Sequence, residues 1–207
     1  MVEAVFLGAL IPLLFLLLVL QGENRLLMAF FTWGFVAFSL ALLVNTAILS
    51  LGFSRDHLAV TWAPVVEEFM KAVPLAWFLF SKKSARWPIV FFAMASGVGF
   101  SIQENYLYLY ENFGGGAQPL YIIIRSLTTC VMHGLTVAML GYGIQTVKQN
   151  RVLTYPALFG LFSLAVTIHA LFNLYIDSPL KLLGMLFPAL LFLAGMLLMK
   201  DEGIREK

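Results

Sequence analysis

A polytopic bundle of membrane-spanning helices, all-α, is the fold class this sequence predicts, and three observations predict it. Hydrophobic residues make up 61% of the 207 positions and the mean hydropathy is +0.90, well outside the range of soluble domains. Seven apolar stretches come close to or exceed the roughly 20 helical residues that cross a hydrocarbon core. The connections between them are short, so residues 1–207 read as a single integral membrane domain, multi-pass in a cell membrane.

The seven spans fall at about 3–20, 26–51, 58–80, 87–111, 119–147, 154–177 and 180–200. The first lacks a basic leader and a small-residue cleavage site, so it reads as a retained helix. The second and fifth exceed the bilayer thickness, which implies tilt or kinks. In the third, Pro64 and Pro74 bracket a charged segment; each removes a backbone hydrogen bond and can bend the helix. The fourth carries Ala93/Gly97 and Ala95/Gly99, small pairs four apart that permit close helix packing, which places it inside the bundle. Gly114-Gly115-Gly116 before Pro119 reads as a turn on the outer side. The single cysteine, Cys130, excludes an internal disulfide and reads as a packing residue.

Net charge is only +2, but its distribution is informative. With seven spans, one side receives Arg25, Lys82, Lys83, Arg86, Lys148, Arg151, Lys200, Arg205 and Lys207, and the other only Arg55 and Lys181. The positive-inside rule then sets the N-terminus outside and the C-terminus in the cytoplasm. The expected surroundings are the lipid bilayer; no feature points to nucleic acid.

Charge inside the spans carries the functional signal. Glu67, Glu68 and Lys71 lie within the third span, where each ionised group costs about 2.5–3.5 kcal/mol at the bilayer centre on insertion scales. Further polar groups occur at membrane depth: Gln103, Glu104 and Asn105 in span four; Arg125, Thr129 and His133 in span five; His169 and Asn173 in span six. Glu67/Lys71, His169/Asn173 and the Arg125-Thr129-His133 ridge each repeat every four residues, so each set shares a helix face. Glu67 and Glu68 diverge by ~100° and cannot do the same job. At ~1.5 Å rise per residue, Glu104 and His169 lie roughly 10–12 Å below the outer boundary, Glu67 about 14 Å and His133 about 20 Å. Four helices thus bring polar groups to overlapping depths, which implies one wet cavity opening outward.

Two chemistries suit such a set. A divalent metal, zinc among the candidates, would be held by about three of Glu104, His133, His169 and one of the paired glutamates, with water at an open position. Without metal, a glutamate would activate water while histidine and Asn173 stabilise the oxyanion. Each residue also has a plainer reading. Lys71 neutralises a glutamate, Arg125 pairs with Glu104 or meets the lipid interface, His133 is a hydrogen-bonded core residue, and Tyr106, Tyr108 and Tyr110 form an interfacial belt.

The run EExxK at Glu67–Lys71, FxxxEN at Phe100–Asn105, His133 in span five and HxxxN at His169–Asn173 together resemble the PrsW family of membrane-embedded proteases, related to the CAAX prenyl endopeptidases and bacteriocin-processing proteins. The four motifs stand in the family's order, each in its own span, over about half the chain. The resemblance implies a glutamate-dependent, metal-assisted intramembrane peptidase. Its substrate would be a single-pass membrane protein, such as an anti-sigma factor, cut on the extracytoplasmic side in the first step of regulated proteolysis. It makes Glu67 the water activator with Glu68 in support, and His133 and His169 catalytic or ligand histidines. Asn173 becomes an oxyanion or orienting group and Glu104 a partner in the site, with Lys71, Asn105 and Arg125 in support.

Other intramembrane protease signatures are missing from the sequence. There is no HExxH, Gly97-Val98-Gly99 is followed by Phe100 where a GxGD aspartyl protease needs aspartate, and Gly99-Phe100-Ser101-Ile102 lacks the last glycine of GxSG. A proton- or ion-coupled transporter is the main rival, since buried Glu, Lys and His build ion paths, but no repeated half or matched pair of broken helices supports it. A catalytically silent scaffold, like the related anterior-pharynx-defective subunit of γ-secretase, would not need both glutamates. A retinal receptor would carry its lysine in the last span.

Overall fold

The computed structural model describes residues 2–80, 87–111, 119–147 and 151–201, and the regular structure among them is entirely helical. In chain order the helices are α1 (Val2–Val19), α2 (Gly22–Ser50), α3 (Arg55–Val60), α4 (Trp62–Ala72), α5 (Ala76–Phe80), α6 (Ile89–Glu111), α7 (Pro119–Val147), α8 (Arg151–Ile176) and α9 (Lys181–Asp201), with a 3-10 turn at Val73–Leu75. Six of the seven expected segments appear as single helices within a few residues of their predicted limits. The remaining one, the third (58–80), is a composite of α3, α4, the 3-10 turn and α5. By length and composition, Gly22–Ser50, Pro119–Val147 and Val152–Ile176 can cross a membrane, and Phe6–Val19 and Lys181–Gly195 are shorter apolar helices. The triglycine turn lies outside the described residues, as do Lys82, Lys83, Arg86, Lys148, Arg205 and Lys207 of the orientation argument.

Helix α6 is the hub, packed most extensively against α7 and α2. The small pairs on α6 explain how. A Cβ on Gly97 would collide with the His133 carbonyl of α7, and one on Gly99 with the Phe31 carbonyl of α2. Backbone-to-backbone approach of this kind is what small residues allow in a bundle without aqueous hydrophobic driving force. It also fixes the position of His133 relative to α6.

The third segment breaks twice, at Thr61 and at Pro74, and side chains from other helices take up carbonyls at both breaks. Pro74 has no N–H, so the Met70 carbonyl loses its helical donor; the Trp33 indole Nε1 donates to it instead at 2.8 Å. The next carbonyl, of Lys71, accepts from Ser96 Oγ at 2.8 Å. Upstream, the chain turns at Thr61, between α3 and α4, and the Ala59 carbonyl accepts from Asn173 Nδ2 of α8 at 2.8 Å. Leaving such groups bare in hydrocarbon would cost several kcal/mol each. Helix α4 is thereby pinned at both ends, to α8 above and to α2 and α6 below.

The buried face of α7 changes character along its length. Thr129 and His133 lie toward its start, Val137, Leu140 and Ile144 toward its end. The apolar end joins Phe30, Leu75, Phe78, Ile89 and Phe92 in one core, where the rings of Phe30, Phe78 and Phe92 sit 5.4, 5.6 and 5.8 Å apart. Outside, Leu182, Leu186, Leu190, Leu193 and Leu197 make an exposed stripe along α9, the face of a helix meant for lipid.

Candidate active site

Helix α4 supplies the centre of a polar network that α6, α7 and α8 complete. Glu68 and Lys71, one turn apart, pair at 2.6 Å with both side chains fully buried. Glu68 Oε1 is also 2.8 Å from His169 Nδ1, and Lys71 Nζ is 2.6 Å from His133 Nδ1. The lysine ammonium also lies 4.9 Å from the Phe100 ring centroid. With the lysine charged, it donates to Nδ1 of His133, so the His133 proton sits on Nε2 and is donated to Glu104 Oε2 at 2.5 Å. The two imidazoles meet edge to face, with centroids 5.0 Å apart.

Glu67, pointing away from Glu68 as its helical position requires, presents Oε2 to His169 Nε2 at 3.6 Å. One imidazole therefore stands between the paired glutamates, held on one nitrogen and open on the other. Glu67 and Glu104 are the partly exposed members, with side chains 15% and 27% accessible, whereas Glu68, Lys71 and His133 are sealed. The Glu104 side is thus the most accessible part of the network.

Arg125 fixes that side. Its guanidinium donates to Asn105 Oδ1 at 2.6 Å, approaches Glu104 Oε1 at 3.6 Å and stacks 3.6 Å over the Tyr108 ring. Asn105 thus joins the network through the arginine. Tyr106 and Tyr110 are exposed while Tyr108 turns inward to the arginine. Asn173 shares a face with His169, but its amide is committed to the Ala59 carbonyl and its place is at the α3–α4 break.

One participant escaped the sequence reading. Asn45 of α2, buried, donates from Nδ2 to Glu67 Oε1 at 3.3 Å. Its signal was a lone amide within an otherwise apolar run, at a depth that nothing in α2 itself marked as special.

The residues fit a metal. Glu67, His133 and His169 each offer one ligand atom, all within 4.8 Å of one another. One carboxylate and two imidazoles are the donor set of a catalytic zinc-type centre, which keeps a further position open. The orienting groups such a centre needs are also present. His169 gives Nδ1 to the Glu68 carboxylate, leaving Nε2 toward Glu67, the arrangement that fixes tautomer and ring orientation in metal-binding histidines. His133 has partners on both nitrogens, so ligation through Nε2 requires Glu104 to release it. Three carboxylates against one lysine and one arginine also leave the cluster short of positive charge.

No curated protein and no solved structure matches the chain. The profile described as PrsW family intramembrane metalloprotease matches residues 22–199, a range that contains every residue of the network. The chain belongs to the PrsW family of intramembrane metalloproteases.

Proposed function

We propose that this protein hydrolyses a peptide bond of a single-pass membrane-protein substrate near the extracytoplasmic side of the cell membrane, an anti-sigma factor being the kind of substrate its family resemblance suggests. The observation that carries the reading is His169 held between Glu68 and Glu67, beside a second buried histidine. Seven crossings with the N-terminus outside, as the lysine and arginine distribution favours, put the partly open Glu104 side of the network toward the exterior.

Glu67, His133 and His169 would hold the divalent metal, with zinc the best match to their chemistry. When bound, it supplies a Lewis acid for the scissile carbonyl and for water. The remaining work falls to the chain. Glu104, once released from His133, is the carboxylate placed to take a proton from water as its oxygen adds to the carbonyl carbon. The same proton then goes to the departing amine as the C–N bond breaks. Glu68 orients His169, Lys71 orients His133 while neutralising Glu68, and Arg125 holds Glu104 in place.

This division of labour differs from the set Glu104, His133 and His169 with Glu67 as base, and the two are separable. Cleavage of a co-expressed single-pass substrate, with cut sites mapped by mass spectrometry, should disappear in both Glu67→Gln and His169→Ala. Wild-type cleavage in Glu67→Gln would reject the reading under either assignment.

A further inference from the structure

We infer that Asn45 is a positioning residue of the active site, contributed by α2, which carries none of the recognisable motifs. The inference rests on the reading of Glu67 as a working group. Asn45 lies on the buried face of α2 with Phe38 and Ala41, whereas Leu42, Leu43 and Thr46 point outward. A buried amide in a membrane helix is costly unless it is hydrogen-bonded. Its Nδ2 bonds to Glu67 Oε1 at 3.3 Å, while its Oδ1 is buried without a hydrogen-bond partner among the described residues. The asparagine is therefore oriented by the glutamate alone, and the glutamate by the asparagine.

That bond selects which oxygen does what. With Oε1 engaged by Asn45, Oε2 is the oxygen turned to His169 Nε2. Glu67 has few other restraints, because Glu68 and Lys71 of the same helix are engaged with His169 Nδ1 and His133 rather than with it. Remove the amide and the carboxylate can rotate about its terminal torsion, presenting either oxygen or neither.

The test uses the full-length protein in nanodiscs and zinc alone as probe, in competition with a chromophoric chelator. Asn45→Leu, close in size but with no donor, and Asn45→Ala should weaken zinc binding about tenfold or more, the usual effect of losing a group that orients a ligand. Asn45→Gln keeps the donor on a longer stem and should recover part of the loss. Thr46→Ala, whose hydroxyl bonds only the Leu42 carbonyl of its own helix, should change nothing. The thermal midpoints of the metal-free forms should agree, which a merely structural role for Asn45 would not give. In cleavage assays Asn45→Leu should lower kcat with KM unchanged. Wild-type zinc affinity and wild-type kcat in Asn45→Leu would overturn the inference. If Glu67→Gln is inactive in the same assays, the failure is confined to Asn45; if Glu67→Gln is active, the reading of the site itself fails.

Discussion

Lys71 and His133, 62 positions apart, meet at 2.6 Å between Nζ and Nδ1, each with no exposed side-chain surface. The lysine simultaneously holds Glu68 at 2.6 Å. A single ammonium group thus couples the α4 carboxylate to the α7 imidazole, and its removal has consequences for both.

Lys71→Met should leave Glu68 as a buried anion without its counter-ion, held only by His169 Nδ1. Removing one partner of such a pair destabilises by about 3–5 kcal/mol, a large part of the total for most proteins. Unfolding in mixed detergent should show this loss, and the double variant Glu68→Gln/Lys71→Met should regain much of the stability without regaining cleavage. Equal stability of the single and double variants would mean that Lys71 has no charge to neutralise.

Glu67→Gln and Glu104→Gln should both stop cleavage but differ in metal content. Elemental analysis should find the divalent ion lost in Glu67→Gln and retained in Glu104→Gln, because Glu67 belongs to the compact donor set. The opposite pattern would exchange the two glutamates' roles.

Glu68→Gln should be milder than either. It keeps an oxygen acceptor for His169 Nδ1 but loses the negative charge, so about 10–100-fold in activity is expected. Cleavage below the detection limit, with metal still bound, would show that Glu68 acts on the substrate directly.

Gly97→Leu should disrupt the α6–α7 contact, since even a Cβ there collides with the His133 carbonyl. The expected outcome is a lowered thermal midpoint together with lost metal binding, because His133 moves with its backbone. Gly160, whose Cβ direction is open, is the comparison: Gly160→Ala should be neutral.

Much of this architecture was readable from residue order alone. Long apolar runs have few alternatives to helix, so six segments were placed within a few residues, and Ala93/Gly97 and Ala95/Gly99 correctly marked α6 as an interior helix. The composite third segment was only half legible. Pro74 signalled the lower break, but the upper one occurs at Thr61, before Pro64, where Asn173 stabilises a carbonyl from another helix. The depth estimate separated His133 from Glu104 by nearly two helical turns, yet they touch, because boundaries set by hydropathy say nothing about how helices slide or tilt against one another. Asn45 was invisible for a related reason. Its meaning comes entirely from Glu67 lying opposite, and the identity of a helix's neighbour is not written in the helix.

The rings of Phe30, Phe78 and Phe92 and the aliphatic residues around them lie on the far side of the charged network from Glu104. A hydrolase that admits water partway into an energised membrane risks becoming a leak for protons. Aromatic packing of this kind would close the far end of the bundle to water, the barrier that a hydrolase working inside a membrane needs if protons are not to follow its nucleophile across.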